Sequence, residues 1–229
     1  MAPKKLFPLL FVLIMNLWIW KIFSFNILIG IFVILTSFSL YYKKIGLSLL
    51  LIIILLFFQY KTSSKNSLTF LNDNEKLQQE VRLRGYPPSN IPIANWLENR
   101  KESLVFYKVE ANFSEVVDPN LYFFANHPRE RVGVVEYEKF AYILLPFFVL
   151  GLLLLKKEDL PTLLLSLSPF ILISIIGNSN PVGPFSLFPF LVTYISLGLA
   201  PVFAQKKYLF IFLLLFALVF IQTLAYAKY

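Results

Sequence analysis

The chain has 229 residues, is 58% hydrophobic and 17% aromatic, holds no cysteine and carries a formal net charge of +8. Soluble domains are about 45–50% apolar, so an ordinary soluble protein is excluded, and the missing cysteine excludes disulfides, thiolate metal sites and cysteine nucleophiles. The surplus lysine flanks long apolar runs, as the positive-inside rule produces, and this removes the case for a nucleic-acid partner.

The N-terminus, Met1-Ala-Pro-Lys-Lys followed by an apolar run, opens like a signal peptide. No small-x-small cleavage site follows, and the run ends in Leu17-Trp-Ile-Trp-Lys21, an interfacial signature. It reads as an uncleaved first span, Leu6–Trp20. Lys21, Ser24 and Asn26 predict a turn near residues 20–26. Ile27–Tyr42 is a second span, stopped by Lys43-Lys44, and Ile45–Tyr60 a third. A full crossing needs about 20 residues, so the first two are short.

Residues 61–139 form the only long polar segment, with 11 Lys/Arg and 11 Asp/Glu. That balance predicts a small globular external domain rather than a charged tail. Asn72-Asp73-Asn74 caps a helix through Leu77, Val81 and Leu83, stopped by Gly85 and Pro87-Pro88. A second short helix carries Trp96 over Ile93–Lys101. Leu104–Glu110 is rich in strand-forming residues. Asp118-Pro119-Asn120 marks a turn, and Leu121–Phe124 reads as a strand or a segment resting on the bilayer. Asn112-Phe113-Ser114 fits the glycosylation sequon.

Ala141–Leu155 is the fourth span, beginning as early as Tyr137. Leu160–Ile176 is the fifth, with Pro161 in its first turn and a kink at Pro169. Gly177–Pro184 breaks the helix and reads as an ordinary external loop. Phe185–Ala204 and Tyr208–Ala227 are the sixth and seventh spans. The expected fold is therefore mainly α: a polytopic bundle of about seven spans, with a small mixed α/β external domain between spans three and four. Residues 1–60 hold spans one to three, 61–139 the external domain and 140–229 spans four to seven. Seven crossings place Lys4/Lys5, Lys43/Lys44, Lys156/Lys157 and Lys206/Lys207 on one side. The rule makes that side cytoplasmic, with residues 61–139 and the C-terminus outside a plasma membrane.

Apart from Lys21 the spans carry no charge, which argues against a proton relay. There is no H-E-x-x-H and only one histidine, so zincin and multi-histidine phosphatase chemistry is absent. One stretch concentrates the remaining chemistry: His127-Pro-Arg-Glu-Arg131, followed by Glu136, where the chain re-enters the membrane. Arg129 and Arg131 present planar forks suited to a lipid phosphate. His127 has an acid/base pKa range, and Glu130 or Glu136 could orient it. Asn178 and Asn180 could add donors from the 177–184 loop. The structural reading is a turn, a solvated face and interface residues ahead of a span. No cofactor and no resident metal are implied.

Two functions follow. The first is a cell-envelope membrane protein acting as a structural or accessory subunit through its external domain. The second is an enzyme or binding protein for a lipid-linked phosphate at the outer surface, such as a glycosyl- or phospho-group transferase. Partners are membrane lipid, a lipid-linked phosphate or another membrane protein. A transporter using the helix break at 177–189 is a third class.

Overall fold

The computed structural model describes residues 6–63, 68, 73–124, 137–177 and 180–226. Helix accounts for 84% of it, and no strand occurs among the described residues. The expected mixed α/β domain is therefore not found: the described part of residues 61–139 is all helical.

Two asparagines organise residues 6–41. α1 (Phe7–Ile14) stops at Met15, α2 spans Leu17–Phe25 and α3 spans Ile27–Tyr41. The buried Asn16 side chain accepts from Ile19 N (2.8 Å) and donates to Val12 O (2.6 Å), closing one helix and opening the next. Asn26 repeats the device, accepting from Leu28 N (2.9 Å) and Ile29 N (3.3 Å). The turn expected near residues 20–26 is not found over that range: residues 20–25 are helical within α2, and the chain breaks there only at Asn26. The earlier break at Asn16 interrupts what reads as a continuous span, and α1 and α2 bend by 62°. α4 (Ile45–Thr62) follows a tight turn in which Lys43 adopts φ 55°.

The polar segment contains α5 (Asp73–Arg84), α6 (Ile91–Glu98), α7 (Lys101–Val117) and the single turn α8 (Asn120–Phe123). The first two match expectation. α7 replaces the expected strand at Leu104–Glu110. Its exposed positions Glu102, Phe106, Glu110, Phe113 and Val117 recur at three to four residues, the helical period. The opposite face lies against a later helix, and that contact outweighs β-propensity. Leu121–Phe124 is neither strand nor bilayer-resting: Leu121, Tyr122 and Phe123 are buried in the main core.

A 3-10 turn at Tyr142–Leu144 leads into α9 (Leu145–Leu153). α10 (Leu160–Ile176), α11 (Phe188–Ala204) and α12 (Lys206–Tyr226) complete the chain. Several Ser and Thr hydroxyls in these helices donate to carbonyls one turn back, as Thr193 does to Pro189 O (2.7 Å) and Ser196 to Val192 O (2.6 Å), which satisfies them inside the bundle.

The span count is also corrected. Among the described residues, four helical segments are long and apolar enough to cross a membrane: Ile45–Thr62, Lys157–Ile176, Phe185–Ala204 and Lys206–Ala225. Counting the bent pair α1 and α2 as one span gives five, not seven. α3 and Tyr142–Leu153 are apolar but shorter. The 15 residues of α3 extend roughly 22 Å, against a hydrocarbon layer of about 30 Å. An apolar run in sequence overstates the helix it forms wherever a cap cuts it. The chain thus has several apolar helices of spanning length and is compatible with a multi-pass membrane protein.

α11 is the central helix. Its segment is 67% buried, whereas that of α12 is 17% buried and lies at the periphery. α9 crosses α11 at two glycines: a Cβ on Gly198 would overlap the Phe147 carbonyl, and one on Gly151 would overlap the Tyr194 carbonyl. Backbone-to-backbone approach through small residues is a characteristic membrane helix contact.

The bundle has two ends. At the lysine end, Lys43 Nζ pairs with Asp159 (2.7 Å) and Glu158 (3.7 Å), and Phe7 meets Phe203. At the loop end, Asn180 bonds Thr62, and Thr223 donates to Glu138 (2.8 Å).

Candidate functional site

The densest set of buried polar contacts lies at the loop end, around the link between α10 and α11. Gly177, at φ 79°, ends α10 in a conformation that excludes side chains. From Asn180 the chain turns inward. Asn180 Oδ1 accepts from Val182 N (3.0 Å) while its Nδ2 donates to Thr62 Oγ1 (2.7 Å). Gln59, on the last turn of α4, accepts from Ser186 N (3.2 Å) and donates to Gly183 O (3.4 Å) and Ser63 Oγ (3.3 Å). Trp18 Nε1 donates to Val182 O (2.6 Å). Val182, Phe185, Leu187 and Phe188 are buried. The expected external loop is thus a plug driven into the bundle, with its backbone groups answered by side chains of α2 and α4, as a buried loop requires.

Aromatic rings wall this plug. Trp18 meets Phe188 at 5.3 Å and Phe140 at 5.8 Å, both edge-on, and Tyr122 at 5.9 Å. These geometries add to simple area burial. Tyr122 is fully enclosed and donates to Val116 O (2.7 Å). Burial, and then Asp118 nearby, push its hydroxyl well above the ordinary phenol range, so it stays a neutral donor. Lys139 is buried as well. Its ammonium donates to Leu121 O (2.7 Å), and its stem packs 3.0 Å from where a Cβ on Gly183 would stand. Lys21 lies 3.5 Å over the Tyr137 ring.

Of the sequence-predicted site residues, His127, Arg129, Glu130, Arg131, Glu136 and Asn178 lie outside the described residues. Asn180 is described. It is 1% exposed, and its amide is spent on Thr62 and Val182. The chain leaves the described residues after Phe124 and returns at Tyr137, with both ends at the plug: Phe140 N donates to Tyr122 O (2.8 Å). Gln59, Thr62, Trp18 and Lys139 escaped the sequence reading. Gln59 had a signal, being an amide next to an apolar run of α4. Trp18 reads as an interfacial anchor but is fully buried, whereas Trp20 is exposed and fits that role.

Two other polar groupings occur. In the α5–α7 segment the buried Glu98 carboxylate accepts from Arg82 (3.2 Å) and Tyr107 (3.4 Å), and Gln79 donates to its carbonyl (3.0 Å). Burial and then Glu98 raise the Tyr107 hydroxyl above its usual range. At the lysine end, Tyr41, Lys43, Asp159, Thr162 and Tyr194 border a cavity of about 20 Å³, room for a single water. No group of three or more His, Cys, Asp or Glu that could hold a metal occurs among the described residues. No known protein family, curated protein or solved structure matches the chain. What the plug can do chemically is limited: it fixes α2, α4, α10 and α11 to one another.

Proposed function

We propose that the chain is an integral membrane protein of the cell envelope that serves as a structural or accessory subunit for another membrane protein. The observation that carries this reading is the closed plug. A substrate site at a helix break needs polar groups turned toward a cavity. Here Gln59, Asn180 and Trp18 are turned toward the chain's own backbone. A plug whose backbone groups are answered from within the bundle suits a scaffold better than a catalyst or carrier.

The orientation belongs to the same reading. Lysines 43, 44, 156, 157, 206 and 207 sit at helix ends joined by the Lys43–Asp159 pair and by the α11–α12 turn. The positive-inside rule then makes the lysine end cytoplasmic, with residues 61–139 and the end of α12 outside. The shared end of the lysines suffices for this orientation, whatever the number of crossings.

A second reading keeps the lipid-linked phosphate, with Arg129 and Arg131 on the phosphate and His127 as acid or base. It is favoured by Lys21, whose ammonium sits on Tyr137 at the edge of that stretch, where a lipid phosphate would meet cationic groups.

One experiment separates the two. The protein is purified gently from its native membrane, and its protein and lipid content is measured by mass spectrometry. A stoichiometric membrane-protein partner supports the accessory role, and a consistently solitary chain overturns it. A polyprenyl phosphate that co-purifies and is lost in Arg129→Ala/Arg131→Ala would establish the second reading instead.

A further inference from the structure

We propose that α6 and α7 sit at the interfacial layer of the bilayer, with two apolar faces, Ile93/Trp96/Leu97 and Phe106/Phe113/Val117, in contact with lipid. The inference rests on the reading that the chain spans a membrane, and it assigns a surface that reading leaves open.

The two faces follow from helix geometry. On α6, Ile93, Trp96 and Leu97 stand at i, i+3 and i+4, opposite the buried Ala94 and Glu98. On α7, Phe106, Phe113 and Val117 stand at i, i+7 and i+11, which brings them onto one line. Glu102 and Glu110 border that line about 40° to either side. The side chains are large and open: Ile93 is 61% exposed, Trp96 58%, Phe106 65% and Phe113 49%. Isolated exposed apolar residues are ordinary, but large ones that share a face on each of two packed helices mark a surface that is covered.

The occupant follows from what adjoins the surface. α7 packs on α10, a segment of spanning length. Asn112 Nδ2 donates to Ser174 O (3.0 Å), and Val116 shares a core with Ile173. Ser174 lies within the last turn of α10, so this contact sits where hydrocarbon gives way to headgroups. Ile171 and Ile175 of α10 face outward. The lipid that covers them also reaches α7 beside them. The Arg100 guanidinium lies 3.4 Å over one face of the Trp96 ring, a cation–π pairing that suits a ring at the headgroup level. The charges on α5–α7 nearly balance, so apolar area rather than attraction to anionic lipid holds the segment down. Uncharged phosphatidylcholine is therefore sufficient.

The cysteine-free sequence permits a direct test. Single nitroxide labels are placed by Leu97→Cys, Phe106→Cys and Phe113→Cys, with Ile171→Cys as the lipid reference and Glu80→Cys as the water reference. Collision rates with oxygen and with a water-soluble nickel chelate are measured in phosphatidylcholine vesicles at high lipid-to-protein ratio. All three test sites should show the oxygen preference of Ile171→Cys, severalfold above Glu80→Cys. Nickel access like that of Glu80→Cys, with Ile171→Cys still in lipid, overturns the proposal alone. Exclusion of both reagents overturns it in favour of a protein contact, such as a second copy. Nickel access at Ile171→Cys overturns the membrane reading itself. Because a labelled variant can misfold, brominated phosphatidylcholine offers a second readout on the native side chains. The fluorescence it quenches should fall in Trp96→Phe relative to the unaltered chain, and an unchanged quenched component overturns the proposal.

Discussion

Gly198 has no room for a methyl group. Its place against Gly151 lets two helix backbones approach as near as helices can, and any Cβ there must push a carbonyl aside. Gly198→Ala is expected to cost about 1–3 kcal/mol, measured as a fall in the melting temperature of the detergent-solubilised protein. Gly46→Ala is the matched control. Nothing lies within 4 Å of a Cβ at Gly46, and in the first turn of α4 an alanine should stabilise by about 0.4–1 kcal/mol. If both substitutions shift the midpoint alike, close packing between α9 and α11 is not what Gly198 provides. The asparagines act at the same scale. Asn16 and Asn26 each end one helix and start the next, and a single amide thereby sets where the chain bends.

Between elements, the shortest ion pair among the described residues is Lys43 with Asp159, which joins the α3–α4 turn to the start of α10. Asp159 is also held by Lys156 N (2.9 Å), so the carboxylate is already oriented before the lysine arrives. A double-mutant cycle with Lys43→Ala and Asp159→Ala should give a coupling of about 1 kcal/mol, shrinking with added salt. A coupling near zero would mean that the turn is positioned by packing alone. The elements that the sequence displays most plainly are α10 and α12, apolar runs bounded by lysines or glycine. The strand expected at Leu104–Glu110 failed because Val105, Phe106, Tyr107 and Val109 carry β-propensity, while the period that matters appears only in their exposure along α7. The break at Asn16 was hidden because one amide inside an apolar run reads as a tolerated polar residue until its capping partners are known. The plug was half visible. Glycine and proline announced the end of α10, but whether the loop turns outward or inward depends on Gln59 and Trp18, more than a hundred residues away in the chain. The stretch from His127 to Glu136 was conspicuous in sequence for its charge, and it lies outside the described residues.

Across the whole molecule, the polarity of the two ends can be read chemically. Single cysteines at Lys44, Lys157 and Gln205 should react with an impermeant maleimide from one side of the membrane, and a cysteine at Lys61 from the other. Labelling of all four from one side would overturn the two-ended bundle. The same architecture bears on how the chain is made. Trp18 finds its carbonyl acceptor 164 residues later, and Gln59 meets Ser186 127 residues later. At synthesis rates of 5–20 residues per second, the first partner waits on the order of ten seconds or more. During that interval the Trp18 indole lacks Val182, and the Gln59 amide lacks Gly183 and Ser186. Assembly of the loop end is therefore late, and the nascent bundle needs either water or a chaperoning neighbour at that spot until the plug closes.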